Sequence, residues 1–277
     1  MVDFKNISEK NITASTINAE IRAAAEPKIK KWMDTNCRGV KYTLTDLLTI
    51  DTNDSVLISD REIKSLPGYI QFGKCDKFVF LNCVKLESLT GSPVHCNEFG
   101  CNGCISLKSL KDCPETCNDF YCSGCQITDL TPLPRKLKLL SLGFNSFDEL
   151  NIIGCPDEID YVELEYTQFT KVTGLENCKI KSLHMDYNMS LETLNGLPDG
   201  LTELSISHCK KLKDIFSQKL KLKKLSMFKS NALHEPTDTV SEPIIETDII
   251  DYDPTQFLMI QNLIKSGYLK VNKMNDF

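Results

Sequence analysis

The stretch that decides the fold reads Phe78-Val-Phe80-Leu-Asn-Cys83, and it returns as Phe99-Gly-Cys101-Asn-Gly-Cys104 and Phe120-Tyr-Cys122-Ser-Gly-Cys125. Five further blocks follow at steps of 20 to 22 residues, beginning at Leu140, Val162, Leu183, Leu204 and Leu225. Eight copies at a near-constant period predict a repeat protein in which each copy forms one turn of a solenoid.

Each block alternates apolar residues at its first and third positions, which predicts a short strand with one buried face. Strands of successive turns then stack in parallel, about 4.8 Å apart. The sixth position holds a small polar side chain that can hydrogen-bond the backbone of neighbouring turns, which burial would otherwise leave unpaired. We name these residues the polar column: Cys83, Cys104, Cys125, Asn145, Thr167, Asn188, Cys209 and Ser230.

The segments between blocks contain helix breakers such as Gly91-Ser92-Pro93 and Gly196-Leu197-Pro198. A repeat of about 21 residues leaves little room for a helix after the strand and turn. The predicted fold class is therefore mainly β. We expect a curved solenoid with a short parallel sheet on its concave face, extended convex segments, a helix and hairpin capping its start, and a helix near its end.

The repeats resemble the leucine-rich-repeat family. Leu133-Pro134-Arg-Lys-Leu137 and Leu197-Pro198-Asp-Gly-Leu201 are similar to units of bacterial leucine-rich-repeat effectors. The earlier repeats, and the segment from Ile29 to Gly73, resemble short-repeat proteins of large tailed bacteriophages. The resemblance covers about residues 29–233. It implies the fold and a phage or bacterial source, and it brings no established activity.

The chain ends depart from the repeat. We expect an N-terminal arm over residues 1–28, a capping helix and a hairpin around Thr52-Asn53-Asp54 over 29–66, and the solenoid over 67–233. Residues 234–277 are expected to form an acidic linker and a C-terminal helix that starts at Pro254. Whether that helix caps the solenoid or docks on a partner stays open.

Composition excludes several classes of protein. The chain has 277 residues, with 32 Lys and Arg against 38 Asp and Glu, and its net charge of −6 argues against nucleic acid as the main partner. There is no apolar run long enough to span a membrane and no secretory signal. The odd count of 13 cysteines then favours free thiols in a reducing, cytoplasmic setting, in the host or in a virion if the source is a phage.

Two candidate chemical sites compete with simpler interpretations. Cys101, Cys104, Cys122 and Cys125 have the spacing of a zinc site, but the repeat already explains it, so we expect no metal and keep a cysteine–zinc site as an alternative. His208 beside Cys209 suggests a nucleophile and base, yet the repeat points His208 outward and Cys209 inward. The resemblance to effectors also suggests ubiquitin ligases, but only about 45 residues follow Ser230. We expect no enzyme activity and no cofactor.

The remaining candidate is a surface. Residues between the buried positions of the blocks are expected to line the concave face, where aromatic anchors and acids are typical of protein binding. The predicted function is a non-enzymatic module for a protein partner with a basic and apolar surface; the alternative is a virion component docked through its terminal segments. Homo-oligomers stay open. The predicted binding residues are Tyr121, Phe144, Tyr161, Glu163, Glu165, Tyr166, His184, Asp186 and Tyr187.

Overall fold

The computed structural model describes residues 19–145, 150–151, 156–173, 175, 178–194, 196–213, 215, 219–230 and 244–276. The chain divides into two compact units, Met1–Leu137 and Lys138–Phe277. Within each unit the main sheet is parallel and gains one strand per turn, so each is a parallel β-solenoid. The structure is mainly β, as the repeat predicts.

The first unit opens with helix α1 (Ala19–Asn36), which buries Ala25, Ile29 and Met33 although Pro27 lies inside it. Strands β1 (Thr43–Leu44) and β2 (Ile50–Asp51) then form an antiparallel pair. The hairpin turn therefore precedes Ile50 rather than lying at Thr52-Asn53-Asp54. The boundary predicted at residue 29 falls inside α1, and residues 1–18 of the predicted arm lie outside the described residues.

Four parallel strands form the main sheet of the first unit: β3 (Ser55–Ile58), β4 (Lys74–Phe80), β5 (His95–Gly100) and β6 (Asp119–Tyr121). The register places equal positions of the repeat opposite each other, so Phe78 pairs with Phe99 and Phe99 with Phe120. Together with Phe72 and Phe80 these side chains are fully buried. A chain of phenylalanine rings therefore fills the core of this unit.

In the part of the chain that the structure describes, ten strands follow β6: β7 (Lys136–Ser141), β8 (Leu150–Asn151), β9 (Glu158–Glu163), β10 (Lys171–Thr173), β11 (Lys179–His184), β12 (Thr193–Leu194), β13 (Glu203–Ser205), β14 (Leu220–Ser226), β15 (Ile245–Tyr252) and β16 (Leu269–Asp276). The second unit begins within β7 and contains the other nine. Strands β9, β11, β13, β14, β15 and β16 follow one another in its main sheet. Val162, Leu183, Leu204 and Leu225 pair across neighbouring strands and are all buried.

The return segments carry short extended pieces, as the helix breakers predict. Strands β8, β10 and β12 form a second parallel sheet of three strands, with Val172 paired to Leu150 on one side and Leu194 on the other. Val172 and Leu194 are buried.

The end of the chain departs from the sequence expectation. Residues 245–252 of the predicted acidic linker form β15, whose Ile245 and Ile250 are fully buried. Helix α2 (Phe257–Lys265) follows, and β16 adds a further parallel strand. The acidic side chains that suggested a linker pair with lysines instead: Glu246 lies 3.3 Å from Lys270, and Asp251 lies 2.7 Å from Lys224. Residues 234–243 of the predicted linker lie outside the described residues.

The polar column joins successive turns within each unit. Six of its eight side chains donate to a backbone carbonyl one turn earlier, as in Cys125 to Cys101 at 3.1 Å and Cys209 to Met185 at 3.2 Å. Asn188 does the same to Leu164 at 2.8 Å and also accepts from the backbone and hydroxyl of Thr167. These bonds satisfy carbonyls that lie in the core. The same type of bond is made by Cys83, Cys104 and Ser230, while Asn145 bonds the carbonyl of Leu142 in its own turn.

Candidate functional site

Four aromatic rings stack on one another along the second unit. The ring centroids of Phe144 and Tyr166 lie 4.6 Å apart, those of Tyr166 and Tyr187 4.5 Å, and those of Tyr187 and His208 4.4 Å, with interplanar angles of 10° or less. We call these four residues the aromatic stack. Phe228 ends the row with a ring tilted by 60° against His208.

The backbone of the aromatic stack is unusual for aromatic residues. All four have positive φ, between 54° and 60°. Each residue is the fifth of its block, where the chain turns out of the strand, and the turn is fixed by hydrogen bonds to the next turn, such as Tyr187 N to Ser207 O at 2.8 Å. A residue other than glycine held there costs about 1–3 kcal/mol, and such strain clusters at functional sites.

The aromatic stack is open to solvent. Phe144 is 62% exposed and Tyr166 43% exposed, while Tyr187 and His208 are half-buried. Exposed large rings in a continuous row are typical of surfaces that bind another protein.

Carboxylates border the aromatic stack. Asp186 accepts hydrogen bonds from Ser205 Oγ at 2.6 Å and from the backbone of Ser207 at 2.7 Å. Burial and the charges of Asp186 and Glu163 raise the pKa of Glu165. Since these side chains repel one another, a cationic partner would relieve the repulsion.

A second ring pair lies on strands β9 and β11, which contain Tyr161 and His184. The rings of Tyr161 and His184 are 4.6 Å apart, and His184 Nε2 lies 3.1 Å from Ser182 Oγ, which in turn donates to Glu203. Burial, followed by the charge of Glu163, raises the pKa of Tyr161 to about 12. Burial lowers the pKa of His184, and this effect outweighs the charges of Asp186 and Glu203, which raise it. The imidazole of His184 therefore favours its neutral form.

Eight of the nine predicted binding residues lie in the second unit, on or beside the aromatic stack. Tyr121 lies on β6 of the first unit and is half-buried. Sequence reasoning did not place His208 in the binding surface, although it follows Tyr187 at the same position of the repeat. Ser205 and Ser207 lie at the block positions expected to face outward, whereas both are buried, and both donate hydrogen bonds to the carboxylate of Asp186.

The cysteines of the alternative zinc site are brought together only in part. The sulfur atoms of Cys101, Cys122 and Cys125 all lie within 4.8 Å of one another, and all three residues are buried. Cys104 is not a member of this group, and its thiol points to the carbonyl of Phe80 at 3.7 Å.

The chain matches no protein-family model, and neither the curated proteins nor the solved structures contain a match. Among the described residues, neither α1 nor α2 combines the length and apolarity that crossing a membrane requires.

Proposed function

We propose that this chain is a non-enzymatic leucine-rich-repeat module that binds a protein partner with its aromatic stack. The observation that carries the proposal is the stack itself: four aromatic rings at strained backbone positions, two of them exposed to solvent. Asparagine or glycine would tolerate this backbone better, so the aromatic side chains serve a purpose other than local stability.

The carboxylates define the partner. Stacked rings cover one another's faces and present their edges, so apolar side chains of the partner pack along the row. Glu163, Glu165 and Asp186 border the row with negative charge. The partner therefore offers apolar anchors ringed by Lys or Arg, and its association weakens as salt concentration rises.

A selection from a displayed random-peptide library tests the proposal. The unchanged protein should enrich peptides that combine Leu, Phe or Trp with Lys or Arg. The Tyr166→Ala, Tyr187→Ala double variant should bind the enriched peptides about 30-fold more weakly, because hot-spot aromatics carry most of an interface's energy.

The matched control is Met189→Ala, which removes an apolar side chain of the same unit that is 45% exposed and lies outside the aromatic stack. It should bind as the unchanged protein does. Enrichment of acidic peptides, or equal losses in the double variant and the control, would contradict the proposal.

A further inference from the structure

Three buried thiols converge in the first unit. The sulfur atoms of Cys101, Cys122 and Cys125 lie within 4.8 Å of one another, and Cys101 and Cys122 have no exposed surface. Among the described residues, the only other group of three ligand side chains this close is Glu165, His184 and Asp186, which is half-exposed. The cluster of three cysteines therefore differs from this second cluster in both its ligand atoms and its burial.

The convergence comes from an exception in the repeat. The third position of a block is filled by a large apolar side chain in the other turns: Phe80, Leu142, Leu164, Met185, Ile206 and Met227. Two successive turns place cysteine there instead, Cys101 and Cys122. The polar column contributes Cys125, whose thiol reaches back to the carbonyl of Cys101 at 3.1 Å. Cys125 therefore meets a cysteine of its own turn and a cysteine of the turn before.

We propose that Cys101, Cys122 and Cys125 form a three-coordinate site for a soft, thiophilic monovalent cation, Cu(I). Sulfur atoms bonded to one metal ion at about 2.3 Å lie roughly 4 Å apart, so the three side chains need to close by less than about 1 Å. The cation would join two successive turns of the solenoid from inside the core.

The donor set selects this cation class. Calcium and magnesium take oxygen ligands, and none of the three side chains offers one. Structural zinc takes four ligands. Cys104, the fourth cysteine of the zinc-like sequence spacing, lies outside the cluster of three thiols and bonds the carbonyl of Phe80. Three thiolates in a water-excluding core suit Cu(I), because soft sulfur ligands select it.

Loading replaces thiol protons by the metal ion. Cu(I) binds as the thiols release their protons to solvent, and its affinity therefore falls as pH falls. Because the site is closed to solvent, we expect it to load as the chain folds.

The test uses the full chain, produced in cells grown with added copper and purified without oxygen. After a wash with a Cu(I) chelator, elemental analysis should find about one copper ion per folded chain. X-ray absorption should show three sulfur neighbours and no nitrogen or oxygen. A parallel preparation with zinc in place of copper should retain none after a matching chelator wash.

Two serine variants separate the site from the polar column. Cys122→Ser should lower the retained copper at least about tenfold. Cys104→Ser is the matched control, because it keeps a hydroxyl donor for Phe80 and removes a neighbouring thiol outside the group; it should retain copper fully. Circular dichroism verifies that both variants fold. If Cys122→Ser does not fold, the number of sulfur neighbours in the X-ray absorption spectrum of the unchanged chain tests the proposal instead. Absence of copper, a different sulfur count, retained zinc, or equal copper loss in two folded variants would overturn the proposal.

Discussion

The first unit places Asn82, Gly103 and Gly124 at the fifth position of its blocks, where φ lies between 52° and 71°. These residue types accept a left-handed backbone at little cost. The second unit places the aromatic stack at the same position with nearly the same φ. Since the turn is the same and only the side chain differs, the aromatic residues are not required by the fold, which is why we assign them to binding.

The two units also differ in where they keep their aromatic residues. In the first, the rings of Phe78 and Phe99 lie parallel at 6.1 Å inside the core, fully shielded from solvent. In the second, the stacked rings of Phe144 and Tyr166 lie on the surface. The same kind of side chain therefore stabilises one unit and marks a surface of the other.

The largest expected effect is at a buried ring of the first unit. Phe99→Ala should lower the free energy of unfolding by about 3–5 kcal/mol, because it removes a fully buried ring and leaves a cavity. Phe144→Ala in the second unit should shift the thermal midpoint by less than about 4 °C. Urea unfolding of the first variant and thermal unfolding of both check this difference. Similar losses in both would mean that the exposed stack is a structural element.

The next effect compares the polar column of the two units. Asn188→Ala should cost about 3 kcal/mol or more, because its buried amide bonds the carbonyls of Leu164 and Met185 and accepts from Thr167. Cys104→Ala in the first unit should cost about 1 kcal/mol, because a thiol is a weak donor. Urea unfolding measures both. A larger loss for Cys104→Ala would contradict this ranking.

Much of the fold follows from the repeat because its period fixes both strand position and register. Phe78 and Phe99 lie opposite each other as the alignment of blocks predicts, and Asn188 and Cys209 bond the preceding turn. The repeat did not predict β15 for two reasons. The step from β14 to β15 is longer than the usual 21 residues, and the acidic side chains of β15 interrupt the apolar pattern of its two buried isoleucines.

The candidate site was only partly predictable for a different reason. The repeat register identified Phe144, Tyr166 and Tyr187 as an outward row at one position of successive turns, but it did not predict the left-handed backbone that holds these rings. Ser205 and Ser207 alternate as surface residues do, yet both are buried, and the carboxylate of Asp186 accepts hydrogen bonds from both. Such side-chain contacts between turns cannot be inferred from periodicity.

A smaller effect tests the shared left-handed position directly. Gly124→Ala should destabilise by about 1 kcal/mol, because its φ of +67° disfavours any side chain. Tyr187→Gly, which gives the second unit the residue type of the first, should leave stability unchanged or raise it slightly. Thermal unfolding of both variants measures the contrast. A loss for Tyr187→Gly as large as that for Gly124→Ala would show that stacking outweighs the backbone strain.

The smallest expected effect is on pH dependence. Burial lowers the pKa of His184 in the folded chain, so the same imidazole is protonated more readily in the unfolded chain. The contribution of His184 to stability therefore falls as pH drops through about 6.5. Glu165 acts in the opposite sense at lower pH, because its folded-state pKa is raised. His184→Gln should therefore flatten the rise of stability between about pH 5 and 7. Unfolding of the variant and the unchanged protein across this range measures the slope; equal slopes would contradict the assignment.

The most direct test of the central claim exchanges the residue types of the two units at the left-handed position. A Tyr166→Asn, Tyr187→Asn double variant carries at both sites the side chain that Asn82 has in the first unit. We expect a thermal midpoint that is unchanged or higher, together with about 30-fold weaker binding of the peptides selected by the unchanged protein. A midpoint lowered by more than about 5 °C with binding retained would contradict it, because the aromatic stack would then stabilise the solenoid rather than hold a partner.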